Sequence, residues 1–173
     1  MKFSPYKFDG NVFRLDHLQP FTLVVAPDKA VQTKALSILV NFSCHCFTEG
    51  YDGIAAHAYT HRGELRSFSH SRYALSFKLP DIIRSVSERK VLFSRETNYL
   101  IIEVIDQAGK AAHYTVFFDL KKASDDKHDL VMTIESAYIK EVLPKHLDKI
   151  RFRILAGKVA RGLKVRSPHH YQK

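Results

Sequence analysis

Short apolar runs alternate with polar punctuation along this chain, and the period of most runs reads as β-strand. Phe21–Val25 is β-branched and apolar between Pro20 and Pro27. Leu36–Phe42 runs on into Ser43–Phe47, so residues 35–47 predict one strand, buried for much of its length. Four further runs fill the second half: Val91–Arg95, Asn98–Ile105, His113–Leu120 and Asp129–Glu135, the last continuing into Ser136–Tyr138. Gln107–Lys110 is a hairpin turn and Lys121–His128 a polar connection. Short connections favour antiparallel neighbours, so these runs predict a four-stranded meander.

Alternation assigns the meander two faces. Tyr114, Val116, Phe118 and Leu120 form one apolar row, and Leu130, Met132 and Ile134 a second. The opposite face is mixed, with Glu103, His113, Thr115, Thr133 and Glu135, and has the polarity to carry a site. Leu79–Val86 predicts a helix: Pro80 lies in its first turn, Asp81 suits the positive end of its dipole, and Leu79, Ile82, Ile83 and Val86 share a side. Residues 1–30 read as irregular, and 54–72 as loop or short helix. Ile150, Phe152 and Ile154 alternate with Arg151 and Arg153 as in a strand, whereas Leu155–Leu163 suits a helix start. The fold class expected is α+β, an antiparallel sheet of five to seven strands with one or two helices packed on one face. Residues 1–156 are expected to form one domain, and 157–173 a basic, partly frayed extension.

Charge sharpens this picture. The formal net charge is +9, and Lys140–Lys173 holds ten Lys or Arg against only Glu141 and Asp148. Nearly all the excess is therefore C-terminal, and a concentrated positive field draws polyanions. The expected partner is RNA or another nucleic acid, with an acidic, antitoxin-like protein as the alternative. No apolar run approaches the roughly 20 residues of a membrane span, and the first ten residues lack the apolar stretch of a secretory signal. A cytoplasmic protein with no membrane partner and no cofactor is expected. Cys44 and Cys46 are expected to be buried thiols, since a disulfide between such close neighbours is strained.

Three constellations could carry chemistry. His57, His61, Arg62, Arg66, His70 and Arg72 crowd one stretch, beside Tyr59 and Tyr73. Metal-independent RNA cleavage needs a base for the 2′-OH, an acid for the leaving oxygen and a cation for the phosphorane, and His and Arg supply those parts. A solvated basic loop that only binds phosphate is the competing reading. The second constellation is C-x-C-x10-H-x3-H at Cys44, Cys46, His57 and His61, ligand types that suit zinc, although one residue between the cysteines is tighter than the usual knuckle. The third is the mixed face of the meander, continuing into Ser136 and Tyr138. Nucleotide-binding glycine motifs are missing from the sequence.

The segment Phe68-Ser69-His70-Ser71-Arg72-Tyr73, the helix LPDIIRSV and the strands NYLIIEVI, HYTVFFDL and DLVMTIESAY resemble the barnase/EndoU/colicin/RelE-like superfamily of small ribonucleases and toxins. The likeness spans roughly residues 68–138. Beyond it the chain reads like a small protein of bacterial genomes and prophages. The resemblance implies metal-independent RNA cleavage, with His70 and Arg72 as acid/base and phosphate contact and Ser136 and Tyr138 orienting substrate. The expected function is thus a toxin-type endoribonuclease acting by 2′-OH attack. His70 would be the acid/base, Arg72 and Arg66 the phosphate clamp, and Tyr138 a stacking or proton-sharing group. Lys149, Arg151, Arg153, Arg161 and Arg62 would draw in the nucleic acid. The alternative is a basic binding module without catalysis.

Overall fold

The computed structural model describes residues 3–28, 30–31, 33–93, 99–107, 109–142 and 148–165. In chain order the elements are β1 (Tyr6–Phe8), β2 (Asn11–Phe13), β3 (Phe21–Val25), β4 (Leu36–Phe42), β5 (Thr48–Glu49), β6 (Ala58–His61), β7 (Glu64–Phe68), α1 (His70–Ser76), α2 (Leu79–Arg84), β8 (Lys90–Phe93), β9 (Tyr99–Gln107), β10 (Lys110–Lys122), β11 (Leu130–Ile139), β12 (Lys149–Arg151) and α3 (Phe152–Ala160). The class is α+β, as expected. The main sheet has seven strands in the order β12-β8-β9-β10-β11-β4-β3, beside a β1-β2 hairpin and a β5-β7-β6 sheet.

The meander β8-β9-β10-β11 is antiparallel throughout, but β4 joins β11 in parallel, so the large sheet is mixed. A segment almost ninety residues removed in sequence is under no hairpin constraint, and nothing forces it antiparallel. The two apolar rows of β10 and β11 supply the core: Tyr114, Val116, Phe118, Leu130, Met132 and Ile134 are all fully buried. The ladder between these strands shifts once. Phe117 pairs with Ser136 and Phe118 with Ile134, which leaves Glu135 as the extra residue of a bulge. Beyond it the alternation changes phase, so Ala137 is buried and Tyr138 half-buried.

Several local expectations need correction. The stretch 35–47 is not one strand. β4 stops at Phe42, and Cys44–Cys46 forms a 3-10 turn that Ser43 caps by accepting the His45 N–H at 3.3 Å. Residues 1–30 and 54–72 hold two tight hairpins and α1. Both hairpins turn on two residues with positive φ, Asp9 and Gly10 at 47° and 71°, and Arg62 and Gly63 at 53° and 83°. That geometry is the primed turn whose twist matches paired strands. The alternation at 150–154 is also misleading. β12 ends at Arg151, and Phe152, Leu155 and Ala156 are buried at helical spacing in α3. The division expected at residue 156 therefore falls inside α3, and Pro168–Lys173 lie outside the described residues. α-Helices number three among the described residues, against the one or two expected.

The hydroxyl of Tyr114 is buried without a hydrogen-bond partner among the described residues. Burial raises its pKa strongly. An unpaired buried hydroxyl costs roughly 1–3 kcal/mol of desolvation. Tyr114→Phe is therefore expected to stabilise the protein by about 1 kcal/mol, a Tm gain of about 2–4 °C. Phe118→Ala, on the same strand face, is expected to cost about 3–5 kcal/mol by opening a cavity. Urea unfolding of the two variants checks both signs.

Candidate functional site

The 3-10 turn after β4 organises the His/Arg chemistry. Thr48 follows it, donates its hydroxyl to the Cys44 carbonyl at 2.8 Å and accepts from Arg66 Nε at 2.8 Å. Arg66, on β7, donates from Nη1 to Glu64 Oε1 at 2.9 Å. Glu64 also meets His45 Nε2 at 3.0 Å. Both partners hold the Glu64 carboxyl below its ordinary value, the His45 contact first and Arg66 second. Arg72, from α1, donates to the carbonyls of Thr48 at 2.7 Å and His45 at 3.3 Å. Its guanidinium lies 5.1 Å from the centre of the Tyr138 ring, which stacks on Phe117.

Arg66, Arg72 and Tyr138 thus come together, but as a strut. Both arginines are half-buried and point donors at groups of their own fold. His70 does not join them. Two residues apart on a helix means a rotation of about 200°, so His70 and Arg72 leave α1 in nearly opposite directions. The His70 ring packs edge-on against Phe13, Phe68, Phe8 and Tyr6, at centroid distances of 5.0 to 6.4 Å. The histidine that does stand beside the arginines is His45, which the sequence reading passed over. Its signal was its place between two cysteines, but its pairing with Glu64 depends on the turn that residues 35–47 did not announce.

The zinc constellation separates. In a 3-10 turn residues two apart diverge by about 240°, so Cys44 and Cys46 do not share a side. Cys46 is fully buried with its thiol on the Ile134 carbonyl at 3.7 Å, and burial drives its pKa up. His57 holds Asp52 at 2.7 Å, and the His61 ring lies 4.9 Å from that of Phe3. The one group of metal-ligating atoms among the described residues is Cys44, His45 and Glu64, within 4.8 Å of one another. The Arg66 guanidinium on Glu64 sets a positive charge against any cation there.

The C-terminal cations occupy a different region. Lys149 and Arg151 are exposed on β12, the edge strand of the main sheet. Arg153 is half-buried at the start of α3 and pairs with Glu88. Arg161 is exposed at the α3 C-terminus. Arg62 sits apart from all of these, at the tip of the β6–β7 hairpin. No helix among the described residues is long and apolar enough to cross a membrane.

A family model described as the YjaZ family matches residues 5–160. The chain belongs to the YjaZ family. The match runs from just before β1 to the last residue of α3, so it takes in the strut and the basic edge alike. No curated protein and no solved structure matches the chain. Family membership carries no activity with it, so function has to be argued from the residues.

One carboxylate ties the segment before β6 to β7. Asp52 accepts from His57 Nδ1, from the Ile54 N–H at 2.9 Å and from the Ser67 hydroxyl at 2.8 Å. These bonds, that of His57 foremost, lower its pKa to about 2. A depressed carboxylate contributes fully above its unfolded value of about 4, and the contribution fades as pH falls through about 2. Wild type is therefore expected to lose stability relative to Asp52→Asn as pH drops from 4 to 2, read as the urea midpoint at each pH. Arg72→Ala strips two carbonyls of a charged donor and is expected to cost about 2–3 kcal/mol, more than His70→Ala. Thermal unfolding of the pair distinguishes a strut from a surface group.

Proposed function

We propose that this protein is a non-enzymatic nucleic-acid-binding module that takes its ligand on the basic edge formed by β12 and α3. The observation that carries this reading is a division of labour among the cations. Arg66 and Arg72 are spent inside the fold on Glu64, Thr48 and backbone carbonyls, while Lys149, Arg151 and Arg161 point to solvent on a sheet edge and a neighbouring helix. A 2′-OH cleavage site needs an imidazole and a free guanidinium facing one phosphate. Here His70 is separated from Arg72 and Arg66, which weighs against cleavage and leaves binding. A polyanion held by exposed Lys and Arg is held through counterion release.

The test is binding of a single-stranded RNA oligonucleotide by fluorescence anisotropy across a salt series. About four phosphate contacts predict a log–log slope of about −3 for a single strand. Neutralising Lys149 and Arg161 together is expected to reduce the magnitude of that slope by about 1.4. His70→Ala is expected to bind like wild type, and gel analysis should find intact RNA after long incubation. RNA fragments that vanish in His70→Ala restore the ribonuclease reading. Polyglutamate binding as tightly as RNA transfers the edge to an acidic protein partner.

A further inference from the structure

Where β12 meets α3 the chain forms a concave pocket of about 280 Å³, lined by Arg89, Lys90, Arg151 and Arg153 together with Asp28 and Glu88. Four cations against two carboxylates is an uncompensated arrangement, and the pairing pattern makes it worse. Lys90 and Arg151 are direct cross-strand partners on β8 and β12. Like charges placed opposite one another in an antiparallel pair are destabilising. Opposite charges reach only part of the group. Arg153 pairs with Glu88 and Arg89 with Glu103, whereas Lys90 and Arg151 have no ion-pair partner among the described residues. Asp28 turns its carboxylate onto the Ala30 N–H at 3.0 Å and serves its own loop.

Two further features favour an anion. The Arg153 Nε is buried and has no hydrogen-bond partner among the described residues. The pocket also lies at the start of the nine-residue α3, whose first turn contains no acidic side chain and no side-chain cap. The positive end of a helix normally attracts Asp or Glu, and here the residues at that end are Arg151 and Arg153. Edge-strand protection accounts for Lys149 and Arg151, because charged side chains keep sheet edges from pairing. It does not account for Lys90, which lies on the inner strand β8.

We infer that this pocket is a phosphate-binding site, in which one phosphate group bridges Lys90 and Arg151 and meets the Arg153 guanidinium. Guanidinium groups take phosphate through paired hydrogen bonds, and a phosphate dianion or diester relieves the cross-strand repulsion it sits between. The inference deepens the binding reading above, for it supplies the point where a nucleic-acid phosphate would be gripped, and it equally admits the phosphate of a small molecule.

The experiment measures Tm of the full chain in inorganic phosphate against sodium chloride of matched ionic strength. At phosphate tenfold above its Kd the wild type is expected to gain about 4 °C over the chloride control. Lys90→Gln and Arg151→Glu are expected to lose that gain. In chloride alone Arg151→Glu is expected to melt about 2 °C above wild type, because a carboxylate opposite Lys90 and at the start of α3 replaces repulsion by attraction. That gain also proves the variant folded. A wild-type Tm equal in phosphate and chloride overturns the site. RNA affinity decides the source. A tenfold loss in Arg151→Glu, with phosphate displacing the RNA, assigns the pocket to nucleic acid. A phosphate effect on Tm with unchanged RNA affinity in the variant upholds the pocket for a phosphorylated small molecule. Undiminished RNA binding with no phosphate effect leaves the basic edge standing and removes the pocket.

Discussion

The rest of the molecule depends on β11 being bonded on both sides. It pairs antiparallel with β10 and parallel with β4, and its inward residues Leu130, Met132 and Ile134 are fully buried. That double pairing is what joins β3 and β4, from the first third of the chain, to the meander in one sheet. The Ile134 carbonyl, at the end of the β4 ladder, receives the Ser43 N–H at 2.8 Å and the Cys46 thiol. That point is where β4 stops and the 3-10 turn begins. The turn sets Thr48, Thr48 receives Arg66, and the Thr48 and His45 carbonyls receive Arg72. A chain of bonds therefore leads from the centre of the sheet to the arginines.

Arginines used in this way change where the protein's field can act. Arg66 is 15% exposed and neutralised by Glu64, and Arg72 faces carbonyl oxygens and the Tyr138 ring. Glu64 offsets the charge of Arg66, and carbonyl dipoles and the Tyr138 ring, all held in place by the fold, stabilise that of Arg72. What reaches solvent comes instead from the C-terminal segment. The same residue type thus serves as internal scaffold in one part of the chain and as exposed charge in another, and composition alone cannot separate the two uses.

The periodic signals in the sequence were the reliable ones. Rows of alternating apolar residues located β10 and β11 and named their buried side, because a period of two survives any tertiary arrangement that covers one face. Proline and Asp81 marked α2. The failures share a cause, since each turned on a feature that a period does not encode. The bulge at Glu135 shifts phase by one residue, β4 meets β11 across nearly ninety residues, and α1 is too short for its apolar side to stand out. Asp9-Gly10 carries hairpin chemistry that the irregular reading of residues 1–30 missed, whereas Arg62-Gly63 carries only half of that signal. At the site, Arg72 and Tyr138 could be named one by one, but their meeting is a matter of the fold. His45 with Glu64 was not anticipated, because their meeting requires the turn that interrupts an apolar run. Lys149, Arg151, Arg153 and Arg161 were legible as charge, but the opposition of Lys90 and Arg151 is a matter of strand register, which no count of charges contains.

Register is also what separates a solubilising edge from a binding one. An edge strand defended against aggregation needs charge that points outward and can spread in water, and it gains most when neighbouring strands offer the opposite sign. β12 satisfies the first condition and violates the second, since its Arg151 faces Lys90 and its successor Arg153 begins a helix at the end where cations are least favoured. Arg153 has Glu88 as its partner, but an acidic residue in place of Arg151 would meet Lys90 and the start of α3 with less repulsion, so neither strand nor helix demands that cation. The proposed phosphate site accounts for a cation held against both preferences, whereas edge protection accounts only for its being charged.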